Sequence, residues 1–595
     1  MSPRWRAAWP GVLVPCVALL ILPAVGIFGD SLRDLWTYQA WDAHRFTAMS
    51  MLEGSLEYHL SLVNLSGDEQ VHDGAGYTQW GYGVPLLQLP FHAIARHLAS
   101  LPNGFFPDRA IVFVYLALAV PLLWAGLDRV LAMRQAPAIP RVRRLVLSWS
   151  ATAFVLCVAL YPVMASRFQV YDETIAYFVM VQLSALTAYV FMLGAPAGRR
   201  GWLAVVALAA AAGLGLLVRP TGAIFLCAWA ALALLERRAS RIVLVFGASV
   251  APFVLFWMFT NFARTGSPLS LGFQNSLPGP EHVGMVRFGS VCVDTMPHAV
   301  QTAFSIFQAL FLVVTQEPEG WMRDCGLSFE LRHHLDHTSV DPFLGPAVLA
   351  FLVGTALHFA LRRDRRLSLY VPHLAVACLV AMYAWAGAGL AQRYAGDFWP
   401  LVVLAGVQFV RTLPAAATPV LGWPLAAVLT VGAIGAYHRD VETGRDLVED
   451  IAPEKIPGMW ADFEATRTGR DLMLPSKMSC GDVPEWPRFN VDWRPNVVGW
   501  HPDCTVDTFS EVFLGVAPKD GDAYVIRFST YGIDAPGARI YVNGRTYPAQ
   551  KSGDLYEANV RIDSRALSSP TVVATIEWRH GVVPPEGSLL EVELE

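Results

Sequence analysis

Charge is what this chain has least of. Only 16% of its 595 residues are Asp, Glu, Lys or Arg, while 54% are hydrophobic and the mean hydropathy is +0.40. A soluble chain would carry about a quarter charged residues. The net charge of −5 comes with no basic patch, which excludes a nucleic-acid partner. Low-complexity tracts and clear internal repeats are also lacking, and with them the inverted repeats common in secondary transporters. Arg4 and Arg6 precede an apolar run from Trp9 to Phe28, but no A-x-A cleavage site follows, so the run reads as a retained first helix and not as a leader.

What is abundant is apolar sequence in runs of bilayer length, about 20 residues each. Membrane helices are expected near 9–29, 109–131, 145–163, 174–193, 201–217, 221–235, 241–260, 343–361, 368–390, 395–411 and 419–437, about eleven in all. The apolar run 298–314 reads as a re-entrant helix, a surface helix or one more span. With the N-terminus in the cytoplasm, the inner loops hold Arg134, Arg141, Arg143 and Arg144; Arg199 and Arg200; Arg237, Arg238 and Arg241; and Arg362, Arg363, Arg365 and Arg366. That bias follows the positive-inside rule, and an odd number of spans puts the C-terminal region outside. Cys16, Cys157, Cys227 and Cys378 fall in spans, Cys292 and Cys325 in one outer loop, and Cys480 and Cys504 in the C-terminal region. No cysteine falls in an inner loop. The outer pairs suit disulfides in an oxidising compartment, free thiols being the alternative.

The membrane part therefore covers 1–437, with long outer loops at 30–108 and 261–342; a mixed segment, helical in part, covers 438–494. Long loops of this kind are more often functional than connecting. Residues 495–595 read as an extracytoplasmic β-sandwich-like domain: Tyr524–Ser529 alternates, Asn543-Gly544 separates Ile540–Val542 from Arg545–Tyr547, and 556–562, 571–578 and 589–594 read as further strands. Such a domain binds glycan, binds a partner, or caps the membrane part.

Candidate chemistry gathers on the outer side. After Trp41, the run Asp42-Ala43-His44-Arg45-Phe46 opens a stretch with Phe46, Met49, Leu52 and Leu56 at helical spacing, the pattern of an amphipathic helix on the membrane surface with Asp42 at its start. Asp42 is either a general base or an N-cap. The run from Gly76 to Phe91 implies a tight turn carrying stackable rings, or an interfacial aromatic belt. Arg219 and Arg393 lie at outer span ends, where arginine binds phosphate bidentately or snorkels to the interface. Asp172 and Glu173 open the fourth span, as an acidic site or as a helix cap. His334 and His337, beside His333, Asp336 and Asp341, form a weak metal-like spacing that fits a solvated loop better.

Asp42-x-x-Arg45-Phe46 with Met49 and Gly54 resembles a stretch of the GT-C membrane glycosyltransferases, the superfamily of protein O-mannosyltransferases and lipid A aminoarabinose transferases. The runs Gly83–Phe91, Leu217–Thr221, Asn261–Pro268 and Gln392–Pro400 are similar to recurring motifs of bacterial members. The likeness spans roughly 9–437. Two departures stand out: Ala43 occupies a place often acidic, and Val84-Pro85 replaces a Lys-Pro-Pro-Gly, so no lysine is present there.

The resemblance implies an inverting transfer of sugar from a polyprenyl-phosphate donor to an acceptor hydroxyl at the outer face of a bacterial plasma membrane. Asp42 would be the base, Arg393, Arg219, Tyr394 and Arg45 would contact the donor phosphate, and Asp172, Glu173 and His44 would serve the acceptor side. Glycan, lipid and protein acceptors all fit. No metal is obligatory in this scheme, although a divalent ion is compatible with it. Two rivals remain: a transporter or flippase of lipid-linked sugar, which calls for ionisable residues near the bilayer midplane, and a non-catalytic glycan-binding assembly protein, which does not need Asp42.

Overall fold

The computed structural model describes residues 10–24, 38–39, 43–57, 69–72, 75–78, 80–97, 106–133, 140–165, 170–194, 199–237, 240–269, 344–386, 395–413, 417–445, 450–451, 477–479, 497–500, 504, 506–515, 523–531, 539–542, 545–553, 555–561, 571–577 and 588–594. The chain divides into two compact units. One comprises Met1–Gln39, Phe106–Trp257 and Met296–Asp450; the other comprises Ala40–Phe105, Met258–Thr295 and Ile451–Glu595. Most of the loop 30–108 and the first part of the loop 261–342 thus fall in one unit with the C-terminal region.

The first unit is helical. Its helices are Pro10–Leu22, Asp108–Ala132, Arg141–Val155, Val170–Gly194, Arg199–Val218, Gly222–Arg237, Ser240–Thr265 (whose C-terminal end belongs to the other unit), Leu344–Leu361, Val371–Ala386, Ala395–Thr412 and Ala417–Arg445. Arg141–Val155 continues through a π-turn at Leu156–Leu160 into Tyr161–Ala165. A helix therefore stands at each of the eleven expected places. Among the described residues, five segments are both long and apolar enough to cross a membrane: Asp108–Ala132, Arg141–Met164, Glu173–Gly194, Gly201–Val218 and Arg241–Thr265. Gly11–Leu22, Val348–Leu361 and Val371–Met382 are apolar but shorter. The chain is a multi-pass membrane protein. Residues 298–314 and the His333–Asp341 stretch lie outside the described residues.

Pro15 inside the first helix and Pro23 just beyond its end each leave a backbone carbonyl four residues earlier without a helical N–H. Pro15 releases the Gly11 carbonyl, and the Trp149 indole N–H donates to it at 3.1 Å. Pro23 releases the Leu19 carbonyl, and the Tyr161 hydroxyl donates there. Near the helix end, Tyr437 Oη donates to the Leu22 carbonyl at 2.8 Å. Three aromatic donors from two other stretches of the unit thus satisfy carbonyls that would otherwise be orphaned in an apolar setting.

Contacts fix helix directions within this unit. Tyr115 meets Tyr177 edge-on with ring centroids 5.8 Å apart, and Arg129 Nη2 donates to the Gly194 carbonyl at 2.8 Å. Asp108–Ala132 and Val170–Gly194 therefore run parallel. A Cβ on Gly396 would sit 2.4 Å from Ile175 Cγ2, and Gln408 Nε2 donates to Tyr189 Oη at 2.8 Å, so Ala395–Thr412 runs parallel to Val170–Gly194 too. Three helix N-termini share one end of the unit. At the other end Arg411 forks onto Glu236 at 2.8 and 3.1 Å, and Tyr189 Oη donates to the same carboxylate.

In the second unit, the helices Ala43–Leu52 and Gly83–His97 pack on each other, and the first also touches strand β3. Beyond the two-residue strands β1 (Tyr38–Gln39) and β4 (Asp450–Ile451), the strands are β2 (Glu69–His72), β3 (Ala75–Thr78), β5 (Lys477–Ser479), β6 (Val497–Trp500), β7 (Val506–Gly515), β8 (Ala523–Tyr531), β9 (Arg539–Val542), β10 (Arg545–Pro548), β11 (Gln550–Ser552), β12 (Leu555–Arg561), β13 (Thr571–Glu577) and β14 (Ser588–Leu594). The hairpin β2–β3 stands apart from two five-stranded sheets, ordered β10-β9-β13-β7-β6 and β11-β12-β8-β14-β5. The expected Asn-Gly hairpin is β9–β10, with Val542 opposite Arg545.

In the second sheet, alternate residues Tyr524, Ile526 and Phe528 of β8, Tyr556, Ala558 and Val560 of β12, and Val592 and Leu594 of β14 are buried. That period of two marks a covered face. Across it, Phe528 and Tyr556 face each other in register and stack at 5.2 Å. On the opposite face the register lines up Lys477, Glu593, Arg527 and Glu557 with alternating sign, the composition of a solvated surface.

Element boundaries differ from expectation in the 438–494 segment. The last helix runs on to Arg445, and Lys477–Ser479 pairs with β14 as an edge strand. Three residues are too few for an alternation to be visible in sequence.

Candidate functional site

The helix that follows Asp42 begins at Ala43. Asp42 itself lies outside the described residues. The amphipathic surface helix expected here is corrected by burial: His44, Arg45, Phe46, Thr47, Ala48, Met49 and Ser50 are all buried, so no side of residues 44–50 faces solvent. The apolar spacing described only the greasy half; the polar half faces protein as well. The helix ends in a Schellman turn, in which the Ser55 N–H reaches the Ser50 carbonyl at 2.9 Å and the Gly54 N–H reaches Met51 at 3.1 Å. Gly54 adopts φ 85, a left-handed conformation that explains glycine at this place.

The helix Gly83–His97 buries Val84, Pro85, Gln88, His92 and Ala95 along one face. The aromatic turn before it is held from within the same unit. Tyr82 is buried, donates to the Leu56 carbonyl at 3.1 Å, and its own carbonyl accepts the Leu86 N–H. Burial pushes its phenol pKa well up, opposed by Arg264 and reinforced by Glu57. Tyr77 Oη donates to Glu57 at 3.2 Å, and Arg96 pairs with Glu53 at 3.1 Å.

The Asn261–Pro268 motif does two jobs here. Gly266, at φ 70, closes the helix Ser240–Thr265 by donating to the Phe262 carbonyl at 2.8 Å. Arg264, buried, is oriented by Asn261 Oδ1 and donates to the Thr78 carbonyl at 3.3 Å, beside the aromatic turn. Two motifs far apart in sequence thus meet in one unit.

In the first unit, the end where three helix N-termini gather holds Asp108, Arg109, Glu173, Thr174, Arg219, Thr221 and Asp397, all buried. Arg219 Nη2 pairs with Asp397 Oδ2 at 3.2 Å, with side chains 5% and 0% exposed. The snorkelling alternative for Arg219 is thereby corrected: its partner is a carboxylate on a neighbouring helix, not interfacial water. Gly222 makes this end tight, since a Cβ there would lie 2.3 Å from the Gly215 carbonyl oxygen. Glu173 is buried in the first turns of its helix, where the N-terminal dipole favours a carboxylate. Asp172 is the third residue of the helix Val170–Gly194 and so not its cap, because the helix starts four residues earlier than the expected span 174–193; its side chain lies outside the described residues.

Arg393 and Tyr394 lie outside the described residues, immediately before the helix that carries Gly396 and Asp397. Cys292, Cys325 and Cys480 lie outside them too. Among the described residues, Cys16, Cys157, Cys227 and Cys378 are free thiols, and no group of three or more His, Cys, Asp or Glu is placed to hold a metal.

Asp108, Arg109 and Asp397 are buried ionisable residues that sequence reasoning passed over. The signal was present, since acids in the first turn of an apolar span are functional candidates by default.

No family model matches the chain, and no curated protein matches it. Among solved structures, the chain is similar to the oligosaccharyltransferase AglB of Archaeoglobus fulgidus in complex with an inhibitory peptide and a dolichol-phosphate, at 13% identity and a TM-score of 0.40 over 75% of this chain and 57% of that one. An oligosaccharyltransferase of the same organism in complex with Zn and sulfate gives 14% identity and 0.39 over 75% and 55%. The arabinosyltransferase EmbB of Mycobacterium smegmatis gives 12% and 0.31 over 100% and 65%. The chain spans somewhat over half the length of the first two and under two thirds of the third.

Proposed function

We propose that this chain is a GT-C-type inverting glycosyltransferase that moves a sugar from a polyprenyl-phosphate donor to an acceptor hydroxyl. The observation that carries the reading is the concentration of fully buried Asp108, Arg109, Glu173, Arg219 and Asp397 at one end of the helical unit. Burying ionisable groups is costly and is rarely retained in a membrane protein without a task. The motif Gln392–Pro400 and the motif Leu217–Thr221, each carrying family resemblance, supply the two sides of the Arg219–Asp397 pair. That gives physical content to a likeness otherwise made of letters.

In this reading Asp42 takes the acceptor proton as the hydroxyl attacks the anomeric carbon, and the lipid monophosphate departs. Arg393 and Arg219, with Tyr394 and Arg45, stabilise the leaving phosphate. Asp397 restrains Arg219 until the phosphate competes for it. Asp172, Glu173 and His44 serve the acceptor side. The scheme needs no obligate metal, and restoration of chelator-lost activity by manganese or magnesium would overturn that part.

The protein crosses a bacterial inner membrane about eleven times, with its N-terminus in the cytoplasm and a β-sandwich domain, residues 495–595, outside. Disulfides join Cys292 to Cys325 and Cys480 to Cys504; the engagement of Cys504 in a disulfide supports the second.

The test is sugar transfer from synthetic polyprenyl-phosphate sugars by purified protein, wild type beside Asp42→Asn. Transfer or donor hydrolysis that stops in the variant, with folding intact, supports the reading. Activity that survives moves the base to Asp172 or Glu173. Donor binding without turnover favours a transporter of the lipid-linked sugar.

A further inference from the structure

The turn between the helices Leu344–Leu361 and Val371–Ala386 plays no part in the proposed reaction, yet it is the most basic exposed turn among the described residues. Within Leu361–Leu367 stand Arg362, Arg363, Arg365 and Arg366 against Asp364 alone, a net +3. All four arginines are exposed, and so are the flanking Leu361 at 75% and Leu367 at 66%.

The arginines are not equivalent. Arg366 is held by Asp364 through two bonds, Nε to Oδ1 at 3.0 Å and Nη2 to Oδ2 at 2.7 Å. Arg362 is drawn onto the Thr412 carbonyl of the neighbouring helix. Arg363 and Arg365 form no ion pair with any described residue.

The backbone adds an independent observation. The helix Leu344–Leu361 ends in a Schellman turn, with the Asp364 N–H on the Phe359 carbonyl at 3.1 Å and the Arg363 N–H on Ala360 at 2.9 Å. The left-handed position of that turn normally takes glycine. Here Arg363 occupies it at φ 51. The chain therefore accepts an unfavourable backbone to present a guanidinium between two exposed leucines.

We propose that this turn is a binding site for an anionic phospholipid, with Arg363 and Arg365 on the phosphodiester and Leu361 and Leu367 against the upper acyl chains. Guanidinium groups suit phosphate oxygens geometrically. Basic residues with apolar neighbours are the composition that seats a segment at the headgroup–acyl boundary. The inference needs only a multi-pass membrane protein, and it stands or falls apart from the transferase reading.

The test is a thermal-stability titration of the full chain in non-ionic detergent, with short-chain phosphatidylglycerol, short-chain phosphatidylcholine and inorganic phosphate as separate additives. Wild type is expected to be stabilised by phosphatidylglycerol alone. Removing two interfacial arginines should weaken that response roughly thirty-fold in midpoint concentration in the double variant Arg363→Gly/Arg365→Gln. Glycine fits the turn, so the variant should fold; Arg365→Gln alone, at roughly five-fold, is the second measure. An unchanged response in both variants overturns the site. So does a wild type indifferent to phosphatidylglycerol. Equal stabilisation by inorganic phosphate overturns the lipid assignment in favour of a soluble anion.

Discussion

The clearest quantitative consequence of the fold concerns Tyr161. Its hydroxyl donates to the Leu19 carbonyl, which Pro23 has deprived of a helical N–H. Tyr161→Phe keeps the ring and removes only the donor. The carbonyl is then left without a partner where burial excludes water, since Tyr161 is fully buried and Leu19 is nearly so. An unsatisfied buried carbonyl costs about 1–3 kcal/mol. The control is built into the sequence. Pro23→Ala supplies the missing backbone N–H, so the same carbonyl gains a helical partner. Tyr161→Phe should then cost well under 1 kcal/mol.

The assay is a double-mutant cycle on purified protein in detergent, with unfolding followed by denaturant titration. The expected coupling is about 1–2 kcal/mol, and it should recur with Trp149→Phe against Pro15→Ala at the Gly11 carbonyl. If Tyr161→Phe costs the same in both backgrounds, the proline-released carbonyl is not what Tyr161 satisfies, and the account of how the first helix docks is wrong.

Other outcomes are as definite. Asp397→Asn should cost about 3–5 kcal/mol, because it breaks the buried pair with Arg219, and Asp397→Asn/Arg219→Gln should recover part of it in the same unfolding assay. Gly54→Ala should cost about 1–2 kcal/mol through its left-handed φ alone, since no atom lies within 4 Å of the added Cβ. Hydrogen bonds from Arg366 hold the Asp364 carboxyl below its ordinary value against a small opposing effect of burial. Its folded pKa is depressed, so its contribution is complete above the unfolded pKa of about 4 and is lost as pH falls through the lower folded value. The pair lies at a solvent-accessible turn, with Arg366 exposed, so the effect should be small, and stability measured from pH 6 down to pH 3 should show a slightly shallower decline in Asp364→Asn than in wild type.

The parts legible in sequence were those with a long period or a fixed turn. Apolar runs placed helices at the right positions, and Asn543-Gly544 placed the β9–β10 hairpin because a two-residue connection of that type favours one geometry. The illegible parts depended on partners distant in the chain. Nothing local distinguishes His44–Ser50 as buried all round from a helix on a surface. The strand β5 takes its identity from pairing with β14, more than a hundred residues later. The Gly83–His97 helix contains Pro85 in its first turn and Pro90 inside, and so reads as a loop. Asp397 is a letter in a motif, and its meaning comes only with Arg219, in the turn between the helices Arg199–Val218 and Gly222–Arg237.

The two ends of the helical unit show why burial alone does not mark a site. At one end Arg411 makes a forked pair with Glu236, while Tyr189 and Gln408 bond into the same cluster. Cation and carboxylate match one to one, which is the arrangement of a clamp holding three helices together. At the other end three acids, Asp108, Glu173 and Asp397, stand with two arginines, Arg109 and Arg219, at the N-termini of three helices. The helix dipoles favour carboxylates at these N-termini, and Arg393 precedes the same helix start in sequence. In the proposed transfer the end that carries Glu173 and Arg219 is assigned to the chemistry, and the Arg411–Glu236 end is assigned to holding the fold. Neutralising Glu236 should therefore loosen the fold and lower activity only in proportion to the loss of folded protein. Neutralising Glu173 should change turnover per folded molecule, and equal specific activities for wild type and Glu173→Gln would refute the distinction.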